Sequence, residues 1–184
     1  MRFVRNLYEM NDSEPVKNLW FHFNKNTSPA SDVGRHYERD KLVQIHGWCL
    51  MDNHYHLLLS ELQENGISMF LKKINMGYAK YFNEKYDRSG ALFQGKTKRK
   101  LIDSDAYMLH ILNYIHFNPL DYSKGTKGWR GRKIDNAQTA LAQLNEYRWS
   151  SYLDYMGQDN FPTLIETSLM DDLFDDYTVE VKDI

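Results

Sequence analysis

An α+β fold follows from three features of the sequence. The first is a pair of strand-like runs, Leu42 to Met51 and His54 to Leu59, joined by Asp52-Asn53, a turn pair of the hairpin kind. The second is a long helical repeat opened by Gly66, in which Ile67, Phe70, Leu71, Ile74, Tyr78, Tyr81 and Phe82 recur at three or four residues. The third is a helix from Ser104 to about Phe117, with Leu109, Ile111, Leu112 and Ile115 as apolar faces, stopped by Asn118-Pro119. The chain has 184 residues, enough for one domain with an appendage and a real core. Its apolar content of 42% and charged content of 26% fit a soluble globular protein.

In chain order, residues 2–10 place Phe3, Val4, Leu7 and Tyr8 at helical spacing, and Asn11-Asp12-Ser13 with Pro15 ends that helix. Residues 16–23 are apolar but ambiguous, 24–31 read as a loop, and 33–41 as loop or short helix. In the first strand of the hairpin, Val43, Ile45, Trp48 and Leu50 supply the apolar positions. The stripe of the helix after Gly66 is core and is assigned no chemistry. Arg88-Ser89-Gly90 is a turn, and Ala91 to Ile102 is expected as a strand, apolar at its start and basic later. Asp103-Ser104-Asp105 supplies N-cap candidates for the next helix. A basic, glycine-containing loop covers 123–134, and a helix is expected from Ala137 to about Tyr147. Trp149 to Tyr155 is aromatic-rich and expected to pack back on the domain; a short acidic helix is expected after Thr163. There is no internal repeat or low-complexity tract.

Composition narrows the function classes. A single cysteine, Cys49, excludes an internal disulfide and a cysteine-rich zinc site. There is no long apolar segment to span a bilayer and no secretory signal pattern, so the expected location is the cytoplasm. The net charge of −2 is unevenly spread: Asp159 to Ile184 carry eight acidic residues against one basic, leaving 1–158 with a net of +5. The acidic end is a solvated helix face or an interaction tail, and the basic remainder permits a nucleic-acid partner without requiring one.

Two elements carry candidate chemistry. His54 and His56 stand two apart on a strand and share one face, a ready metal pair if they are not simply two satisfied histidines on a half-buried strand. His110, Tyr114 and Asn118 are four apart on a helix and share another. Two histidines, a tyrosine and an amide could converge on one metal with open positions for substrate oxygens. A tyrosine hydroxyl can attack phosphorus to give a covalent intermediate, but is weak while protonated and needs help. Lys96, Lys98, Arg99 and Lys100, after Phe93-Gln94-Gly95, fit a phosphate backbone or a solvated charged strand edge.

Four ordered motifs are similar to one family. His54-Tyr55-His56 after Leu50-Met51-Asp52-Asn53, then Gly90-Ala91-Leu92-Phe93-Gln94-Gly95, then Tyr114-Ile115-His116-Phe117-Asn118-Pro119, and finally Trp149-Ser150-Ser151-Tyr152 resemble the HUH single-strand transposases. Within them the chain looks most like the REP-associated tyrosine transposases, relatives of the small insertion-sequence transposases with one catalytic tyrosine. The resemblance spans roughly Leu42 to Tyr155.

The resemblance implies a ferredoxin-like antiparallel sheet with helices packed on it. It implies a catalytic domain over 1–122 and a basic loop and helical extension over 123–184. The implied chemistry is metal-dependent cutting and rejoining of single-stranded or hairpin DNA. His54, His56 and Asn118 would be ligands of Mg2+ or Mn2+, and Tyr114 the nucleophile that becomes linked to a 5′ phosphate. Lys96, Lys98, Arg99 and Lys100 would contact backbone phosphates. His110 and His116 receive no role. Family members start with a strand of the type Tyr-His-x-x-Asn-Arg, whereas this chain starts in the helix that follows it, so the sheet is expected to lack its first strand. Asp52 stands where a proline is common. The rival expectations are a descendant that binds DNA hairpins without cutting them, and a hydrolase that uses water instead of Tyr114. Monomer and homodimer both stay open.

Overall fold

The computed structural model describes residues 1–15 and 39–173. It is an α+β structure with a two-stranded antiparallel sheet among the described residues. Its elements are α1 (Arg2–Glu9), β1 (Val43–Leu50), β2 (Tyr55–Glu61), α2 (Gly66–Lys85), α3 (Asp105–Phe117), α4 (Ala137–Glu146), α5 (Tyr152–Tyr155) and α6 (Ser168–Leu173). Short 3-10 turns cover Asn118–Tyr122, Lys127–Gly131 and Pro162–Leu164. The expectations for 16–38 and for the acidic end beyond 173 lie outside the described residues. No described helix is long and apolar enough to cross a membrane.

The chain forms two compact units, one from 1–44 and 60–100, the other from 45–59 and 101–184. In the first unit, Phe3, Val4 and Leu7 of α1 are buried, with Phe3 edge-on to Tyr78 of α2 at 5.2 Å. The α2 stripe is deeply buried only at Phe70 and Ile74; Tyr78, Tyr81 and Phe82 are half-buried. Asn11, just past α1, is also buried. Its Nδ2 donates to Val43 O at 2.8 Å and its Oδ1 accepts from the backbone N–H groups of Leu42 (3.1 Å) and Val43 (3.0 Å), fixing the start of β1. Gly66 opens α2 for a steric reason: a Cβ there would lie 2.3 Å from Leu42 O, a backbone atom that cannot yield.

The expected strand over Ala91 to Ile102 is not formed. That stretch is irregular, and Lys96, Lys98, Arg99 and Lys100 are exposed. Gly90 (φ 90°) just before the run and Gly95 (φ 79°) within it turn the backbone left-handed, and the crowded like charges favour solvent over a ladder.

In the second unit, Met51 N donates to His54 O at 2.8 Å and closes the hairpin turn. Its core gathers Cys49, Met51 and Leu58 from the hairpin with Leu112, Ile115 and Leu120 from α3 and the turn after it. Leu144 of α4, Tyr152 and Met170 complete it, each large apolar side chain contributing about 1.5–3 kcal/mol by burial. Trp149 to Ser151 do pack back, on β1: Leu50 N donates to Trp149 O (2.8 Å) and Ser151 N to Trp48 O (3.0 Å), with Cys49 and Ser150 in an antiparallel bridge. Ser104 occupies the N-cap of α3 but makes no side-chain capping bond, whereas Asn136 caps α4 by accepting from Thr139 N at 3.1 Å.

Candidate active site

The second unit brings four of the expected site residues together. His54 stands at the end of the hairpin turn and His56 in β2; their rings lie edge to face with centroids 4.9 Å apart. Tyr114 comes from α3, one turn before its end, and its ring meets that of His56 at 5.6 Å, again edge to face. Asn118 follows one turn later, fully buried, and donates from Nδ2 to the Tyr114 carbonyl at 2.6 Å. The amide thus locks to the backbone of the residue that carries the hydroxyl.

The two histidines differ in environment. His54 is exposed, and Asn53 Oδ1 accepts from its Nδ1 at 2.7 Å. An amide oxygen only accepts, so Nδ1 donates in that bond and Nε2 is the nitrogen left for another partner. His56 is half-buried, and its Nε2 is buried with no hydrogen-bond partner. Burial first, then the positive charge of His54 and Arg130, pushes its pKa down to about 4, so the ring is neutral at physiological pH.

Sequence reasoning missed Arg130. The chain folds 127–131 into a tight turn after the buried Asn118-Pro119-Leu120 segment, and the turn presents Trp129 and Arg130 to Tyr114. Gly128 makes this possible, since a Cβ there would lie 2.2 Å from Lys133 O. Arg130 Nη1 donates to both carboxylate oxygens of Asp121, to Oδ2 at 2.7 Å, and Nη2 donates to Asn118 Oδ1 at 3.0 Å. The guanidinium lies over the Trp129 ring at 4.4 Å and 5.4 Å from the Tyr114 ring centre. Burial raises the Asp121 carboxyl, but the hydrogen bonds from Arg130 and Trp129 together with the charges of Arg130 and Lys127 leave it below the usual carboxylate range. The sequence signal was the basic, glycine-containing loop, but only the turn geometry selects one arginine from it.

Other candidates part from this group. His110 shares the four-residue spacing with Tyr114 and Asn118, yet it is exposed and stacks on Tyr107 at 6.0 Å. His116 turns into the core, its Nε2 paired with Ser151 Oγ at 2.7 Å. Lys96, Lys98, Arg99 and Lys100 belong to the other unit and are all exposed.

Three side chains here could offer donors to a divalent ion. His56 Nε2 is an orphaned buried nitrogen, a state that costs free energy until a ligand takes it. His54 offers a second nitrogen, and Asn118 Oδ1 keeps one lone pair beyond the bond it accepts from Arg130. No group of three or more His, Cys, Asp or Glu able to hold a metal occurs among the described residues.

A family model described as "Transposase IS200 like" matches residues 22–118, more than half of the chain. The matched stretch takes in His54, His56, Tyr114, Asn118 and the basic run, and stops short of Arg130. No curated protein and no solved structure matches the chain significantly.

Proposed function

The chain belongs to the IS200-like transposase family, and from that premise we propose that it cuts and rejoins single-stranded DNA through Tyr114. The observation that carries this reading is the seat of Tyr114, whose ring meets that of His56, the partner of His54, and has the Arg130 guanidinium 5.4 Å from its centre. The Tyr114 hydroxyl attacks a backbone phosphorus, the Oη–P bond forms and the P–O3′ bond breaks. The products are a 5′-phosphotyrosine and a free 3′ end, and the phenolic proton balances the one gained by the 3′ oxygen. One phosphodiester replaces another, so the bond energy is kept and an incoming 3′ hydroxyl reverses the step to rejoin strands.

Asn118 holds the backbone of Tyr114 in place, and His56 packs edge-on against the phenol, limiting its rotation. A divalent ion, Mg2+ or Mn2+, held by His54, His56 and Asn118, would polarise the phosphoryl oxygens and orient the leaving group. Lys96, Lys98, Arg99 and Lys100, all solvent-exposed, would bind the phosphates of the flanking strand. The hairpin and helices would belong to a ferredoxin-like sheet of the family type.

The test is a labelled single-stranded oligonucleotide carrying a hairpin, incubated with the protein and Mg2+ and resolved on a denaturing gel. Wild type should yield a covalent protein–DNA band that chelation of the metal removes, and Tyr114→Phe should yield none. A band that persists in Tyr114→Phe would sink the mechanism. Hairpin binding without any band in wild type would instead mark a descendant that recognises DNA but does not cut it.

A further inference from the structure

We propose that Arg130 is a catalytic residue, contacting the scissile phosphate as Tyr114 attacks it; this inference rests on the strand-transfer reading above. The guanidinium is fixed from three sides, by Asp121, by the Trp129 ring and by Asn118 Oδ1. Trp129 is itself tied to the same carboxylate, its Nε1 donating to Asp121 Oδ1 at 3.0 Å. Despite these bonds the Arg130 side chain keeps 43% of its surface exposed, so a ligand can reach it.

A partly exposed Arg–Asp pair adds little to stability, and a salt bridge alone explains neither the indole stacking nor the bond to the amide beside Tyr114. The arrangement instead removes the rotamer freedom of a long side chain before any substrate arrives. The charged form of Arg130 is favoured by hydrogen bonds, chiefly to Asp121 and also to Tyr114.

Attack requires the phosphorus to approach the Tyr114 oxygen to about 3–3.5 Å. Its non-bridging oxygens then fall beside the guanidinium already placed at that tyrosine. The N–H donors not taken by Asp121 and Asn118 can serve a phosphate oxygen, and the guanidinium charge offsets the negative charge that gathers on those oxygens in the transition state. Arg130 neither gains nor loses a proton; Oη–P forms as P–O3′ breaks, and the proton lost by the phenol balances the one gained by the 3′ oxygen. Arg130 lies outside the stretch matched by the family model.

The experiment compares wild type, Arg130→Ala and Arg130→Lys in single-turnover cleavage at saturating hairpin oligonucleotide with Mg2+. Arg130→Ala should slow formation of the covalent adduct by about 10²–10³, with DNA affinity changed no more than about threefold. Arg130→Lys keeps the charge without the guanidinium and should fall between. The scissile phosphate is then replaced by each phosphorothioate diastereomer in turn. Wild type should discriminate between them, and both variants should discriminate less, which a merely structural role would not produce. An adduct formed by Arg130→Ala at the wild-type rate, with the wild-type diastereomer preference, overturns the inference and leaves the Tyr114 reading intact. No adduct in wild type overturns both.

Discussion

His56 and His116 lie in the same unit and share one property: burial keeps both rings neutral, with pKa values pushed to about 4 and about 3. They differ in what surrounds the nitrogen. His116 Nε2 is matched by Ser151 Oγ, which also accepts from Trp48 N at 3.0 Å, so it ties the end of α3 to β1. His56 Nε2 is buried and unmatched, beside a phenol and facing an exposed histidine. The partnered ring ties two elements together; the unpartnered one is the nitrogen on which the proposed metal site depends.

Substituting each ring separates the two roles. His56→Ala should reduce covalent adduct formation by on the order of a hundredfold or more, with a melting temperature close to wild type. His116→Ala should do the reverse: a loss of roughly 2–4 kcal/mol in denaturant unfolding from the cavity and the lost hydrogen bond to Ser151, with activity per folded molecule retained. Equal stability losses in both would erase the distinction.

Acid sharpens the contrast further. His116 and His46 are held below 6.5 by burial, and His46 pairs through Nδ1 with Glu166 O at 3.1 Å. Below pH 6.5 the unfolded chain takes up protons that the folded chain refuses, so stability is complete above that pH and falls as pH drops, the His116 part ending near pH 3. Denaturant midpoints measured from pH 7 to pH 4 should fall steadily, and less steeply in His116→Gln. A flat profile in wild type would contradict the burial of these rings.

The smallest effect belongs to the basic run. Each of Lys96→Ala, Lys98→Ala and Lys100→Ala should lower the slope of log affinity against log salt by about one, with little effect on cleavage at saturating DNA. Slopes identical to wild type would remove these residues from the DNA path.

Where the sequence carried a period or a stop signal, it located the element. Gly66 does begin α2, the Asp52-Asn53 turn does join the strands, and Asn118-Pro119 does end α3. The four-residue spacing that joins Tyr114 to Asn118 is seen in their hydrogen bond. The same spacing pointed equally to His110, which faces solvent, because helical periodicity defines a face but not what that face meets. The basic run after Gly95 reads like a strand edge, and charge with left-handed glycines keeps it irregular. Arg130 was illegible because its place depends on a non-periodic turn, on Gly128 passing under a carbonyl, and on a carboxylate nine residues earlier.

The segment from Trp149 to Ser151 closes one side of β1 at Trp48 to Leu50 with backbone hydrogen bonds. An open strand edge is a template on which other chains can polymerise. Here that template is occupied by the chain's own later residues, anchored through Ser151 to the interior. Loosening this strap, for instance by proline at Ser151, would therefore do more than lower stability. It would uncover a sticky border and turn a fold defect into a propensity to aggregate.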